Sequence, residues 1–235
     1  MKNSVRDDRQ FDDQVDIPPE VDFRRGERGK YAHLFGEEPL DEELVAQFLR
    51  DKGFDVEKIG EDRFAKTPDF TLLREGNVVA YCEVKTFERD VWLDKKLAEA
   101  QPIALVGGAR PDPIYNRISN AIHTAARQLI GMNLNHEVLN ILVMVNRDKQ
   151  ALYQDLVSVI TGMWDPLAGI HDKTHEQFSE GRIREEKTKI DLYIWLDVFK
   201  DESLKLGGFF FGNYENRNKA CSLFGLNPES VITVA

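Results

Sequence analysis

Residues 67–87 read TPDFTLLREGNVVAYCEVKTF and contain two runs of aliphatic and aromatic residues separated by the turn-forming tetrapeptide REGN. This pattern predicts a β-hairpin. Three charged residues, Asp69, Glu83 and Lys85, lie inside the apolar runs. Burying an ionised side chain without a partner costs several kcal/mol, so these three residues require a common physical explanation.

A bound cation would explain the charged residues of the hairpin. Side chains alternate along a strand, so Glu83 and Lys85 share one face of the second run. If Asp69 begins the first strand, the hairpin register can place its carboxylate beside Glu83, and the two acids then raise each other's pKa unless a cation intervenes. Oxygen ligands of this kind, completed by water, suit Mg²⁺ or Mn²⁺. Lys85 would orient or deprotonate an attacking water or hold a phosphate. The alternative is a structural ion-pair cluster, which would not need the second acid.

The segments around the hairpin show helix and strand patterns. An amphipathic helix is predicted between Asp41 and Gly53, and a short strand follows at 54–59. The segment 138–146 is apolar on both faces, which is typical of a central strand covered on both sides. Strand 78–86, an amphipathic helix over 116–131 and strand 138–146 are expected to form a right-handed crossover with parallel strands.

The rest of the chain extends this α/β pattern. Helices are predicted at 151–164 and 218–226, and strands at 190–199 and 207–214. Residues 88–115 are interpreted as a short helix followed by a loop. We expect residues 36–235 to form one α/β domain with a mixed central β-sheet flanked by helices. Residues 1–35 carry many charges and few aliphatic side chains and are expected to form an extended arm.

The hairpin carries a resemblance to a known family. Within residues 68–85, the dipeptide PD, thirteen intervening residues and the tripeptide EVK resemble the PD-(D/E)xK motif of the restriction-endonuclease-like phosphodiesterases. That family also has an acidic residue on a preceding helix and a helix and strand after the motif, and residues 40–146 offer these elements in the same order. The resemblance implies a restriction-endonuclease-like core and a Mg²⁺- or Mn²⁺-dependent nuclease, with DNA as the favoured nucleic acid. It also implies catalytic roles for Asp69, Glu83 and Lys85, with the two acids as metal ligands.

The helix before the hairpin offers Asp41, Glu42 and Glu43 as the additional carboxylate that the resemblance implies. We favour Glu42 as a catalytic residue and metal ligand. Val45 and Leu49 follow it at i+3 and i+7, which places Glu42 on the edge of the buried stripe. Asp41 is a candidate helix cap, and Glu43 is expected to face solvent. The competing interpretation of Glu42 is an acid that stabilises the helix dipole.

The helix over residues 116–131 supplies the candidate nucleic-acid contacts. In many relatives a polar residue, often Gln, faces the site from this helix, and Gln128 is the match here. Three basic residues of the same helix are candidates for contacts with the phosphate backbone: Arg117, His123 and Arg127. Residues 101–150 carry 5 basic and 3 acidic side chains and are net positive, whereas residues 1–40, 41–100 and 151–235 are each net negative. A solvated surface position is the alternative for each basic residue.

Composition restricts the class of protein. The chain has 235 residues, a net charge of −10 and two cysteines, so a disulfide framework is not expected and the reducing cytoplasm is the default. No uninterrupted apolar run reaches the length of about 18 residues that a membrane span needs, and the charged start of the chain is unlike a signal peptide. We expect a cytoplasmic protein with nucleic acid and no membrane as its partner. The sequence is compatible with a monomer or a homodimer.

Two other functions remain open at this stage. One is a catalytically silent module on the same fold that binds nucleic acid or a protein partner. The other is an accessory protein of phage defence or of a toxin–antitoxin system, because the segment RGERGKY at residues 25–31 looks like part of certain small bacterial antitoxins. An intact set of Asp69, Glu83 and Lys85 favours the enzyme, since a site without chemistry has no physical need of all three residues.

The interpretation of residues 1–35 as an arm can be tested by truncation. Deleting residues 1–20 should leave the melting temperature within a few degrees, because the arm is expected to contribute little to the core. Thermal denaturation of the full-length and truncated chains measures the difference. A large loss of stability would show that these residues belong to the folded domain.

Overall fold

The computed structural model describes residues 41–60, 67–88, 114–163, 183–199, 203–213 and 215–228. The predicted arm at 1–35 lies outside these residues, as does nearly all of the predicted helix and loop at 88–115. The described part is an α/β protein whose centre is a mixed, open, six-stranded β-sheet.

The six strands follow one another across the sheet in the same order as along the chain. They are β1 (Asp55–Lys58), β2 (Phe70–Arg74), β3 (Asn77–Phe87), β4 (Leu139–Asn146), β5 (Leu192–Val198) and β6 (Leu204–Phe211). The β3–β4 and β4–β5 pairs are parallel, and the other three pairs are antiparallel. The predicted neighbours in the sheet, and its extension by the strand at 190–199, are therefore confirmed.

Helices cover both faces of the sheet. Within the described residues the α-helices are α1 (Asp41–Asp51), α2 (Ile114–Met132), α3 (Tyr153–Thr161) and α4 (Arg217–Phe224), and a 3₁₀ helix spans Glu186–Lys189. Apolar side chains of α1 and α4 form one core with the sheet, and those of α2 and α3 form a second core. Every residue of β4 is buried, as the apolar run ILVMV within it predicts for a central strand. None of the helices in the described ranges is both long and apolar enough to cross a bilayer.

The predicted hairpin is formed by β2 and β3. The chain reverses at Glu75 and Gly76, whose φ angles are 54° and 76°. Two consecutive residues with positive φ are what a tight turn needs to match the twist of the two strands, and glycine adopts this conformation without steric cost. The turn sets the pairs nearest to it, and a shift of one residue between Leu72 and Leu73 changes the register for the rest of the hairpin, where Phe70 pairs with Cys82.

A buried polar network joins the start of β5 to α4 and to the segment before β4. Asp191 is fully buried, and its Oδ2 accepts hydrogen bonds from the backbone N–H of Asn140 and from Nε2 of His136, both at 2.7 Å. Its Oδ1 accepts a hydrogen bond from Nδ2 of Asn216 at 2.8 Å. Both oxygens of this buried carboxylate are thus satisfied, as a stable interior requires.

Removing the Asp191 carboxylate should destabilise the fold. Asp191→Ala removes the acceptor of three donors, among them the buried N–H of Asn140, and should lower the free energy of unfolding by about 3–5 kcal/mol. Urea denaturation measures the loss, with Asp55→Ala on the exposed strand β1 as a control that should change it by less than about 0.5 kcal/mol. A loss below about 1 kcal/mol in Asp191→Ala would contradict a structural role for the network.

Candidate active site

The hairpin places Asp69 beside Glu83. Its register pairs Phe70 with Cys82, so the next pair towards the end of β3 is Asp69 with Glu83. Asp69 immediately precedes β2, and its Oδ2 accepts a hydrogen bond of 2.6 Å from the backbone N–H of Val84. One oxygen of Asp69 is therefore fixed by the backbone of β3.

The carboxyl group of Glu83 is buried and only half satisfied. Its side chain is 1% exposed, and Oε1 pairs with the ammonium group of Lys85. Oε2 is buried, and no N–H or O–H group of the described residues donates a hydrogen bond to it. Either a proton shared with Asp69 or a bound cation would satisfy this oxygen.

Burial raises the pKa values of both acids. The pKa of Glu83 rises from 4.5 to about 7, because burial penalises the charged form and the Asp69 charge adds to this effect, while Lys85 opposes it. Burial also raises the pKa of Asp69, the hydrogen bond from Val84 lowers it, and the charge of Glu42 raises it. The site thus favours a positive charge near the two carboxylates.

Lys85 is held by two partners. Its Nζ atom pairs with Glu83 and also donates a hydrogen bond of 3.1 Å to Oε1 of Gln128. This second bond joins β3 to α2. Nε2 of Gln128 donates a hydrogen bond of 2.9 Å to the carbonyl oxygen of Thr67. The structure thus brings Gln128 to the site, where it fixes Lys85 relative to the segment that carries Asp69.

Glu42 is the acid of α1 that acts on the site. Its charge contributes to the raised pKa of Asp69, and its Oε2 lies 2.6 Å from Nζ of Lys58 on β1. Lys58 was not singled out from the sequence, because its place beside the site depends on the pairing of β1 with β2.

The other two acids of α1 have partners elsewhere. The Asp41 carboxylate, a candidate helix cap from the sequence, accepts hydrogen bonds from Oγ1 of Thr86 at 2.7 Å and from Nε of Arg147 at 2.9 Å. Glu43 pairs with Arg50 at 2.9 Å on the exposed side of α1. Asp41 thereby ties the start of α1 to the ends of β3 and β4, which positions the neighbouring Glu42.

The basic residues of α2 differ in their availability. Arg117 donates a hydrogen bond of 2.7 Å to the buried carboxylate of Asp148, and its own side chain is 17% exposed, so it anchors the start of α2. His123 pairs with Glu186 through Nδ1. Arg127 is exposed, which leaves its guanidinium the most accessible of the three to a phosphate.

The donor set suits a divalent ion held by two carboxylates. Asp69 and Glu83 offer hard oxygen ligands, and the unsatisfied Oε2 of Glu83 is the kind of atom that a cation would satisfy. Across the described ranges, no group of three or more His, Cys, Asp or Glu side chains is arranged to hold a metal ion. Glu42 therefore does not complete a three-acid site in this conformation, and an ion on the pair would take its other ligands from water or backbone carbonyls.

The fold and site together define an α/β protein with an acidic pair on the β2–β3 hairpin, next to the parallel pair of β3 and β4. Comparison with models of protein families, with curated proteins and with solved structures finds no match to this chain. A fold of this general class supports many functions, so the function has to be argued from the chemistry of the site itself.

The raised pKa of Glu83 predicts a pH-dependent stability. In the folded protein the group holds its proton up to a pH of about 7, whereas in the unfolded chain it loses the proton near 4.5. The folded state binds more protons between these values, so stability should decrease as the pH rises through this window, by up to about 3 kcal/mol. Urea denaturation in buffer with a chelator measures this effect.

The neutral isostere supplies the control for this pH dependence. Glu83→Gln cannot lose a proton, so its stability should change less between pH 4.5 and pH 7 than that of the wild type, and the variant should be the more stable of the two above pH 7. Parallel pH profiles for the two proteins would show that Glu83 keeps an ordinary pKa.

Proposed function

We propose that this protein is a metal-dependent phosphodiesterase that hydrolyses nucleic acid, with DNA as the favoured substrate, on a restriction-endonuclease-like core. The observation that carries the proposal is the buried pair of Asp69 and Glu83 next to Lys85, in which Oε2 of Glu83 has no donor among the described residues. Such a pair carries an electrostatic penalty that a divalent cation relieves.

The topology around the pair supports the same function. Helix α1, the β2–β3 hairpin, helix α2 and strand β4 occur in the order of the restriction-endonuclease-like nucleases, and β3 and β4 are parallel neighbours. Asp69 immediately precedes β2, Glu83 and Lys85 lie on β3, and Gln128 contacts Lys85 from α2.

Each polar group has a separate task in phosphodiester hydrolysis. Asp69 and Glu83 would hold Mg²⁺ or Mn²⁺, which when bound supplies Lewis-acid stabilisation of the transition-state charge and a more acidic water. Asp69 keeps Oδ1 for this purpose, because Oδ2 is taken by the N–H of Val84. The ammonium group of Lys85 orients the attacking water or stabilises a phosphate oxygen as negative charge develops. Gln128 restricts the movement of Lys85.

The second candidate is a binding module that keeps the fold and performs no chemistry. The pairing of Lys85 with Glu83 favours it, since the ammonium group already compensates part of the buried charge without a metal ion. The absence of a third ligand within the described ranges fits this alternative as well. Metal binding separates the two functions, because a silent module would not need a divalent ion.

Substitution of the three central residues tests the proposal. Millimolar Mg²⁺ or Mn²⁺ should raise the melting temperature of the wild type, with a stabilisation of about 2.7 kcal/mol at one hundred times the dissociation constant. Asp69→Asn and Glu83→Gln should lose this shift and the nuclease activity. Lys85→Met should still bind the metal ion but lower turnover by about 10²- to 10⁴-fold, because its role is in the chemical step.

The measurements are calorimetric titration with Mn²⁺ and cleavage of labelled linear, circular, single-stranded and branched DNA, with RNA alongside. Glu75→Gln is the matched control, because Glu75 lies at the opposite end of the same hairpin and should behave as wild type. A wild type that binds no divalent metal and cleaves none of these substrates would contradict the proposed function.

A further inference from the structure

The end of strand β1 lies directly against the candidate active site. Lys58 is the last residue of β1 and pairs with Phe70 of β2. The next residue, Ile59, donates its backbone N–H to the carbonyl oxygen of Asp69 at 2.9 Å. The backbone of Lys58 is therefore fixed next to the residue that begins the acidic pair.

The side chain of Lys58 belongs to the charge arrangement of the site. Its ammonium group lies 2.6 Å from Oε2 of Glu42 and its side chain is 61% exposed. Glu42 in turn acts electrostatically on Asp69. The charge arrangement of the site thus contains two ammonium groups that pair with different acids, Lys58 with Glu42 and Lys85 with Glu83.

The exposure of Lys58 distinguishes it from Lys85. The side chain of Lys85 is 25% exposed and compensates a buried acid. An ion pair as exposed as that of Lys58 contributes little to stability, because water screens it and two long side chains must be ordered. A compact, hydrated ammonium group beside an active site is instead well suited to bind a phosphate of the backbone. The phosphate is negatively charged, and such a contact does not require a buried pocket.

We propose that Lys58 is a second cationic group of the site, which binds a phosphate of the nucleic-acid backbone next to the one that is cleaved, and that Glu42 positions it. This inference rests on the proposed nuclease function. The two ammonium groups then have different tasks. Lys85 acts at the reacting phosphate, and Lys58 holds the strand in place.

The salt dependence of binding tests this role directly. Each phosphate that a protein neutralises makes the slope of log K against log[salt] more negative by about 0.9 on duplex DNA. Lys58→Met should weaken binding and make that slope less negative by about 0.9, the contribution of one phosphate contact. Lys58→Arg should keep the wild-type slope, because the guanidinium group also binds phosphate.

The experiment measures fluorescence anisotropy of labelled DNA of the type that the wild type cleaves, over a series of KCl concentrations. Ca²⁺ replaces Mg²⁺ in the buffer. It can bind the carboxylates of Asp69 and Glu83, but its more flexible coordination disfavours cleavage during the measurement. Lys205→Met is the matched control, because Lys205 is exposed on β6 at the opposite edge of the sheet and should leave the slope unchanged. Calorimetric titration of Lys58→Met with Mn²⁺ should show an affinity no lower than that of the wild type, since a positive charge has been removed.

Three results would overturn the inference. The first is a slope for Lys58→Met equal to that of the wild type and of Lys205→Met. The second is a loss of Mn²⁺ affinity in Lys58→Met, which would mean that Lys58 acts only by holding Glu42. The third is a wild type that neither binds nor cleaves nucleic acid, which overturns the proposed function as well. Cleavage by the wild type with either of the first two results overturns the role of Lys58 alone.

Discussion

Burial of the Glu83 carboxylate is the constraint on which the arrangement of the site depends. Strand β3 pairs with β2 on one side and with β4 on the other, and α2 packs over the face that carries Glu83. A charged group in this position cannot move to water, so its surroundings must supply compensation. Lys85, two residues along the same face, supplies part of it, and Gln128 keeps Lys85 in position. Compensation of the buried Glu83 carboxylate thus links the hairpin to α2 and, through Gln128, to the segment at Thr67.

The site also draws on the opposite face of the sheet. Helix α1 packs on the face that α2 does not cover, and its first residue, Asp41, binds Thr86 and Arg147 at the ends of β3 and β4. These contacts hold the start of α1 at the same end of the sheet as the acidic pair. Glu42 follows Asp41 directly, so its distance from Asp69 depends on contacts made by its neighbour. The candidate site therefore depends on helices from both faces of the sheet.

Much of this arrangement could be predicted from local sequence patterns. The alternation along residues 78–86 and the REGN turn predict the hairpin and place Glu83 and Lys85 on one face. The one-residue shift between Leu72 and Leu73, which brings Asp69 opposite Glu83 rather than Cys82, was not predicted. The continuous apolar run of β4 identifies a central strand. The pattern that favoured Glu42 over its two neighbours depends only on helical periodicity, and Glu42 is the acid of α1 whose charge acts on Asp69.

Contacts between residues distant in the chain could not be predicted in this way. Arg117 was one of three candidates for a phosphate contact, and no sequence pattern indicated its pairing with the buried Asp148, 31 residues away. Asp41 pairs with Arg147, 106 residues away. The place of Lys58 depends on the register of β1 against β2. Such contacts are set by how the elements pack, which no local periodicity encodes.

The buried carboxylates of the described residues differ in whether both of their oxygens accept hydrogen bonds. Asp148, Asp191 and Glu83 are all almost inaccessible to solvent. Oδ1 of Asp148 accepts the backbone N–H of Gln150 and its Oδ2 accepts Arg117, and both oxygens of Asp191 also have donors. Glu83 alone of the three keeps a buried oxygen without a donor from the described residues. A fold that satisfies two buried acids completely has the means to satisfy a third, so the open oxygen of Glu83 is better explained by a proton shared with Asp69 or by a bound cation than by a defect of packing.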